Sequence, residues 1–417
     1  MKQWISAVIL SFVLFLSGGC GQPVDAPVLA PQEPDPPAAV SETEKAPVEP
    51  DETAPVPDVP DEPEPPQPTV ASLAVCGDAM SHMPVTNDAW NGEVYDYARV
   101  MNGAKAYVEA ADYAVVNLET TFAGGPNYSG YPAFNSPDDM ARGLKDLGFD
   151  LCLTANNHSL DKGWNGLSRT LDVLDEAGLA HVGTSRSREE CDNNIVVADV
   201  GGISVAFLGY TYGTNGIPVS KDHPYCINIF NSDYLSGLCT LDTERLAADL
   251  EKARALETDL VAVMIHWGVE YQIKQNSYQE DVADFLFAHG ADIVLGGHSH
   301  VPQPMEIRTL EDGRKGFVCY SLGNFISSQN DEYTDTTAVL TLELTRDNVT
   351  GVTEVSGYGY APMYMLDREA GAHPRFELLD VYRALDDEGT GQSLEKKLVK
   401  AVEDCHKIFG EGDIGAE

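Results

Sequence analysis

Five apolar runs in this chain each stop at a side chain able to bind a metal or move a proton. Ala71-Ser72-Leu73-Ala74-Val75-Cys76 leads to Gly77-Asp78, and Tyr113-Ala114-Val115-Val116 leads to Asn117-Leu118-Glu119. Asp150-Leu151-Cys152-Leu153-Thr154 leads to Asn156-Asn157-His158. The strongly apolar run 259–265 ends at His266-Trp267-Gly268, and Ala291-Asp292-Ile293-Val294-Leu295 ends at Gly296-Gly297-His298-Ser299-His300. Short apolar runs punctuated by glycine read as buried strands. Helical stretches alternate with them, around 97–111, 138–147, 163–177, 242–256 and 279–289. This alternation predicts an α/β domain with buried, mostly parallel central strands. Ligands in such sheets sit beyond the carboxyl ends of the strands. Histidines that only filled a core would not share that placement, so the pattern argues for a metal site.

Other stretches are read more coarsely. A Gly/Pro/Asn-rich loop spans 124–137, and 195–199 with 203–208 forms a hairpin across Gly201-Gly202. Strands are expected at 316–320 and 337–344, and one or two helices from Phe376 onward. Trp90, Tyr95, Tyr128, Tyr131, Tyr210 and Tyr212 are candidates for a pocket wall. Asp161 and Gly163 are assigned to the turn before a helix, and Trp267 to packing or to the pocket.

The amino terminus has another character. Lys2 precedes an apolar run from Ile5 to Leu16, and Leu16-Ser17-Gly18-Gly19-Cys20 follows. The run is short for a membrane span and reads as a secretory signal. It resembles a bacterial lipoprotein signal, which implies lipidation of Cys20 and an anchor on the outer face of the cell membrane. Residues 21–70 form a Pro/Glu/Asp/Ala tether with almost no large apolar residues, so disorder is expected. The layout expected is signal 1–20, tether 21–70, domain 71–365 and helical tail 366–417. A formal charge of −40 argues against nucleic acid as a partner. Cys76, Cys152 and Cys319 read as buried small hydrophobes, while Cys226 and Cys239 flank a loop and are near enough in sequence to pair.

Taken together, Gly77-Asp78, Asn117-Leu118-Glu119, Ala155-Asn156-Asn157-His158 with Asp161 and Gly163, His266-Trp267-Gly268, Gly290-Ala291-Asp292-Ile293-Val294 leading to Gly297-His298-Ser299-His300, and Tyr320-Ser321-Leu322-Gly323-Asn324-Phe325 resemble the motif series of CapA-type capsule (poly-γ-glutamate) synthesis proteins. These are similar in fold to calcineurin-like metallophosphoesterases, and the resemblance covers about residues 71 to 330. It implies a layered α/β sandwich with a divalent metal (Mn, Fe or Zn) at the strand ends. Asp78 and His300 would hold one ion, Asn157, His266 and His298 a second, and Glu119 would bridge them. His158 would act near the substrate with Asp78, and Asn117, Ser321 and Asn324 would support the ligands. The first strand departs from the phosphoesterase Asp-x-His, carrying Asp78-Ala79-Met80, with His82 two residues too late. A thioether is a poor ligand for such ions, so the expectation is one firm site (Glu119, Asn157, His266, His298) and one weak site (Asp78, His300).

The function expected is a surface-anchored, metal-dependent hydrolase acting on a phosphoester or γ-glutamyl amide of a capsule or cell-wall polymer. The alternative is a non-catalytic accessory subunit of a membrane-bound polymer synthase.

Overall fold

The computed structural model describes residues 66–414. The signal, Cys20 and nearly all of the tether lie outside them. In chain order the strands are β1 (Thr69–Ala79), β2 (Tyr113–Leu118), β3 (Leu151–Leu153), β4 (Ala180–Val182), β5 (Val196–Val200), β6 (Ile203–Thr211) and β7 (Leu260–His266). They continue as β8 (Ile293–Gly297), β9 (Pro302–Thr309), β10 (Lys315–Leu322), β11 (Asn324–Ile326), β12 (Thr336–Arg346), β13 (Thr353–Asp367) and β14 (Phe376–Asp380). Two sheets result. One runs β14-β13-β12-β1-β2-β3-β4 with β11 beside β1, and the other runs β5-β6-β7-β8-β10-β9.

Each sheet has the expected parallel centre. β1 to β4 are parallel neighbours, as are β6, β7, β8 and β10. Antiparallel strands flank both blocks, including the predicted β5–β6 hairpin. Alternation along β7 shows how the layers form. Leu260, Ala262 and Met264 enter the core shared by the two sheets, where Tyr113 stacks on Phe207 at 5.7 Å. Val261, Val263 and Ile265 face outward onto Leu246, Leu250, Val282 and Leu286 of the helices Thr243–Arg254 and Ser277–Ala288. A strand with two apolar faces must be covered on both, and the outcome is a helix–sheet–sheet–helix sandwich.

Three departures from expectation have local causes. The stretch 97–111 is two helices, Tyr97–Met101 and Lys105–Ala110, joined by a tight turn. The turn brings Gly103 against β14, where a Cβ would lie 2.2 Å from the Leu378 carbonyl oxygen. The tail is not wholly helical, because Phe376, Leu378 and Asp380 are buried alternately and β14 pairs with β13 before the helices Val381–Asp386 and Gln392–Phe409 begin. The seven described cysteines are all unbonded, Cys226 buried and Cys239 exposed. No described helix is long and apolar enough to cross a membrane.

Candidate metal centre

The carboxyl ends of β1, β2, β3, β7 and β8 meet at one edge of the sandwich. Asp78 sits there because β1 is pinned on both sides: its N–H donates to the Gly323 carbonyl at 2.9 Å, and β2 runs alongside. Its carboxylate Oδ2 accepts the His298 N–H at 2.9 Å, and Oδ1 accepts from Asn117 Nδ2 at 2.7 Å. Gly297 permits this approach, since a Cβ there would stand 2.5 Å from Asp78 Oδ1. His298 and His300 follow with φ of 93° and 59°. Positive φ is costly for side chains of this size. The loop accepts it, and both imidazoles turn inward at 4% and 3% exposure.

Glu119 is fully buried at the centre. Its Oε1 lies 3.4 Å from His266 Nε2 and 4.0 Å from His158 Nε2. His266 Nε2 also meets Asn157 Oδ1 at 2.9 Å, and its Nδ1 accepts from Asn117 Nδ2 at 3.2 Å. Asn117 thus contacts both Asp78 and His266. Two donor groups arise, each with ligand atoms within 4.8 Å of one another: Glu119, His298 and His300, and Asp78, Glu119 and His266. Glu119 is common to both. The groups overlap, and His300 Nδ1 also lies 3.7 Å from Asp78 Oδ2. The strand ends converge so closely that order along the chain does not decide which donors are neighbours.

Electrostatics suits these groups to a cation. Burial opposes charge on Glu119, but the imidazoles around it, His266 foremost, hold its carboxyl well below the usual range. Burial, with His266 and His300 close by, keeps His298 neutral. His300 resists burial because Asp78 and Glu119 face it, and its pKa is pushed up to about 9. Glu119 Oε1, His298 Nδ1 and His300 Nδ1 are buried without a hydrogen-bond partner. Such orphaned atoms are costly unless something binds them. A mixed carboxylate and imidazole set facing one another suits a borderline divalent ion.

Other residues complete the surroundings. His158 Nδ1 is 2.8 Å from Asp161 Oδ2, and that oxygen also accepts the Phe134 N–H at 2.6 Å. Asp161 is therefore more than a turn residue: it orients His158, and its hydrogen bond raises the His158 pKa against burial. His82 packs edge-on to Phe134, whose ring also meets His158 edge-on. Burial and the charge of His300 hold His82 down at about 4. Met80 is buried. Tyr212 stands 4.6 Å from the His298 ring and forms a wall. Tyr210 instead hydrogen-bonds Asp249, and Trp90, Tyr95 and Tyr128 form a cluster of their own. Trp267 packs on Tyr320 and donates to its carbonyl, a packing role. Ser321 accepts from Gly323 N–H, and Asn324 donates to Gln329 and Thr334. These two shape the turn whose Gly323 carbonyl holds Asp78.

Residues 72–329 match the family model for the bacterial capsule synthesis protein PGA_cap. The capsule biosynthesis protein CapA of Bacillus anthracis is 31% identical over 290 residues, 68% of this chain and 66% of that protein. The PGA biosynthesis protein CapA of Bacillus subtilis (strain 168) is 30% identical over 258 residues, 60% of this chain and 63% of that protein. The chain thus spans just under two thirds of the length of each relative. Among solved structures, a phosphatase from Mycoplasma pneumoniae aligns over 72% of this chain and 95% of its own, at 13% identity and a TM-score of 0.42.

Proposed function

We propose, for a chain that belongs to the PGA_cap family of bacterial capsule synthesis proteins, that it is a metal-dependent hydrolase. Its substrate would be a phosphoester or γ-glutamyl amide in a capsule or cell-wall polymer. One observation carries this reading: three buried donor atoms, Glu119 Oε1, His298 Nδ1 and His300 Nδ1, converge without hydrogen-bond partners.

Asp78, Glu119, Asn157, His266, His298 and His300 would hold manganese, iron or zinc, with Glu119 shared between two positions. The position of Glu119, Asn157, His266 and His298, where Asn157 Oδ1 meets His266 Nε2 at 2.9 Å, would be the tighter. The position of Asp78 and His300 would be the weaker, because the buried thioether of Met80 stands where the first strand would otherwise supply a donor. A divalent ion there would polarise a substrate oxygen and make water a stronger nucleophile. Asn117 fixes Asp78 and His266 together through one amide. Asp161 holds the Nδ1 side of His158, so that Nε2 faces the Glu119 side and can pass a proton to a leaving group. Tyr212 narrows the approach beside His298. A lipid on Cys20 and an extended tether would place the domain outside the cell membrane, near a membrane-bound synthase.

An activity screen on phosphodiesters and γ-glutamyl peptides with added manganese tests this reading. Hydrolysis should disappear in Glu119→Ala and His298→Ala. Activity that survives both substitutions rules the mechanism out. The accessory-subunit reading draws on Met80, a buried thioether where the first strand would otherwise supply a donor. It predicts no turnover on any such substrate, together with retained polymer production when His158 is replaced in cells.

A further inference from the structure

We infer that Glu270, in the loop after β7, is a positioning residue that holds His300 toward the weaker metal position. The inference rests on the metal-centre reading above. The two ring nitrogens of His300 face different surroundings. Nδ1 is buried without a hydrogen bond and lies 3.7 Å from Asp78 Oδ2, on the side of the donors. Nε2 lies 3.8 Å from Glu270 Oε1. A neutral imidazole carries one lone pair and one N–H. A lone pair offered to a cation at Nδ1 therefore requires the N–H at Nε2, directed at Glu270. A carboxylate on the outer nitrogen of a ligand histidine fixes its tautomer and ring angle and raises its basicity.

The backbone sets the two side chains in register. Tyr271, which follows Glu270, adopts a φ of 63° and donates its N–H to the Ser299 carbonyl at 2.8 Å. Ser299 immediately precedes His300, so one hydrogen bond fixes the spacing of the pair. Buried Gln303 holds the rest of the loop, donating to the Gln272 carbonyl at 2.7 Å and accepting from Gln279 at 2.9 Å. Glu270 retains 46% of its side-chain exposure, which leaves it free to close the roughly 1 Å that separates 3.8 Å from a hydrogen bond. This arrangement gives the weaker position, at Asp78 and His300, a way to keep His300 turned inward without a donor at Met80.

Calorimetric titration of the purified full chain with manganese chloride tests the inference on wild type, Glu270→Ala, Glu270→Gln, His300→Ala and the Glu270→Ala/His300→Ala double variant. Glu270→Ala should weaken the looser equivalent roughly 10- to 100-fold, with the tighter one unchanged as a control for folding. Glu270→Gln keeps an accepting oxygen and should lose less. In the His300→Ala background, Glu270→Ala should add nothing. A full-sized Glu270 effect in that background would make Glu270 an independent ligand and overturn the inference, as would unchanged affinity in Glu270→Ala. No manganese binding by the wild type would overturn the metal-centre reading itself.

Discussion

At the scale of single residues, the partner of His158 decides what that imidazole can do. Its 2.8 Å contact with Asp161 fixes the ring and favours the proton-bearing form suited to a general acid. His158→Ala should lower the turnover number by about 10²- to 10⁴-fold, and Asp161→Asn by a smaller factor, both with the metal content of wild type. Loss of metal in either variant would move the residue into the ligand set. Gly297→Ala is a second case. The added methyl would press on Asp78 Oδ1, so we expect about 1–3 kcal/mol of lost stability in denaturant titration; an unchanged midpoint would contradict the close approach. The donors themselves were legible in the sequence because each ends an apolar run. Asp161 was not, since an aspartate three residues past a histidine is also ordinary turn chemistry. Glu270 was not, because its place depends on the Tyr271–Ser299 hydrogen bond between distant loops.

At the scale of elements, the sequence showed the parallel centre of each sheet and missed parts of its margins. β9, β13 and β14 escaped because their apolar residues are interspersed with polar and glycine positions, as in Phe376-Glu377-Leu378-Leu379-Asp380. What holds β14 in place is a buried carboxylate. Asp88 accepts the Phe376 N–H at 2.9 Å, the Arg375 N–H at 2.8 Å and the Arg99 guanidinium at 2.9 Å. Burial would raise the Asp88 pKa, but these donors outweigh it and lower it from 3.8. A depressed carboxyl stabilises the fold fully above its ordinary value and loses that contribution as the pH falls through the folded one. Asp88→Ala should therefore cost about 3–5 kcal/mol near neutrality. The gap to wild type should shrink below about pH 4 in chemical denaturation. A gap that stays constant down to about pH 2 would show that the charge of Asp88 contributes nothing.

At the scale of the whole molecule, two sheets bring five strand ends to one edge, and that convergence turns scattered motifs into a site. The sequence placed the donors on this edge; how they divide between positions depends on packing across the sandwich, where both Asp78 and Glu119 face His300. The chain is also strongly acidic, at −40. A polyanionic polymer would be repelled at low ionic strength, so its binding should tighten with added salt or manganese; weakening with salt would contradict that. The central claim is that Glu119 is shared by two metal positions. Metal analysis of the purified protein after incubation with manganese and gel filtration tests it most directly. Wild type should retain one tightly held equivalent and release a second, and Glu119→Ala should retain neither. Full retention of manganese by Glu119→Ala, or two equally tight equivalents in wild type, would contradict the account.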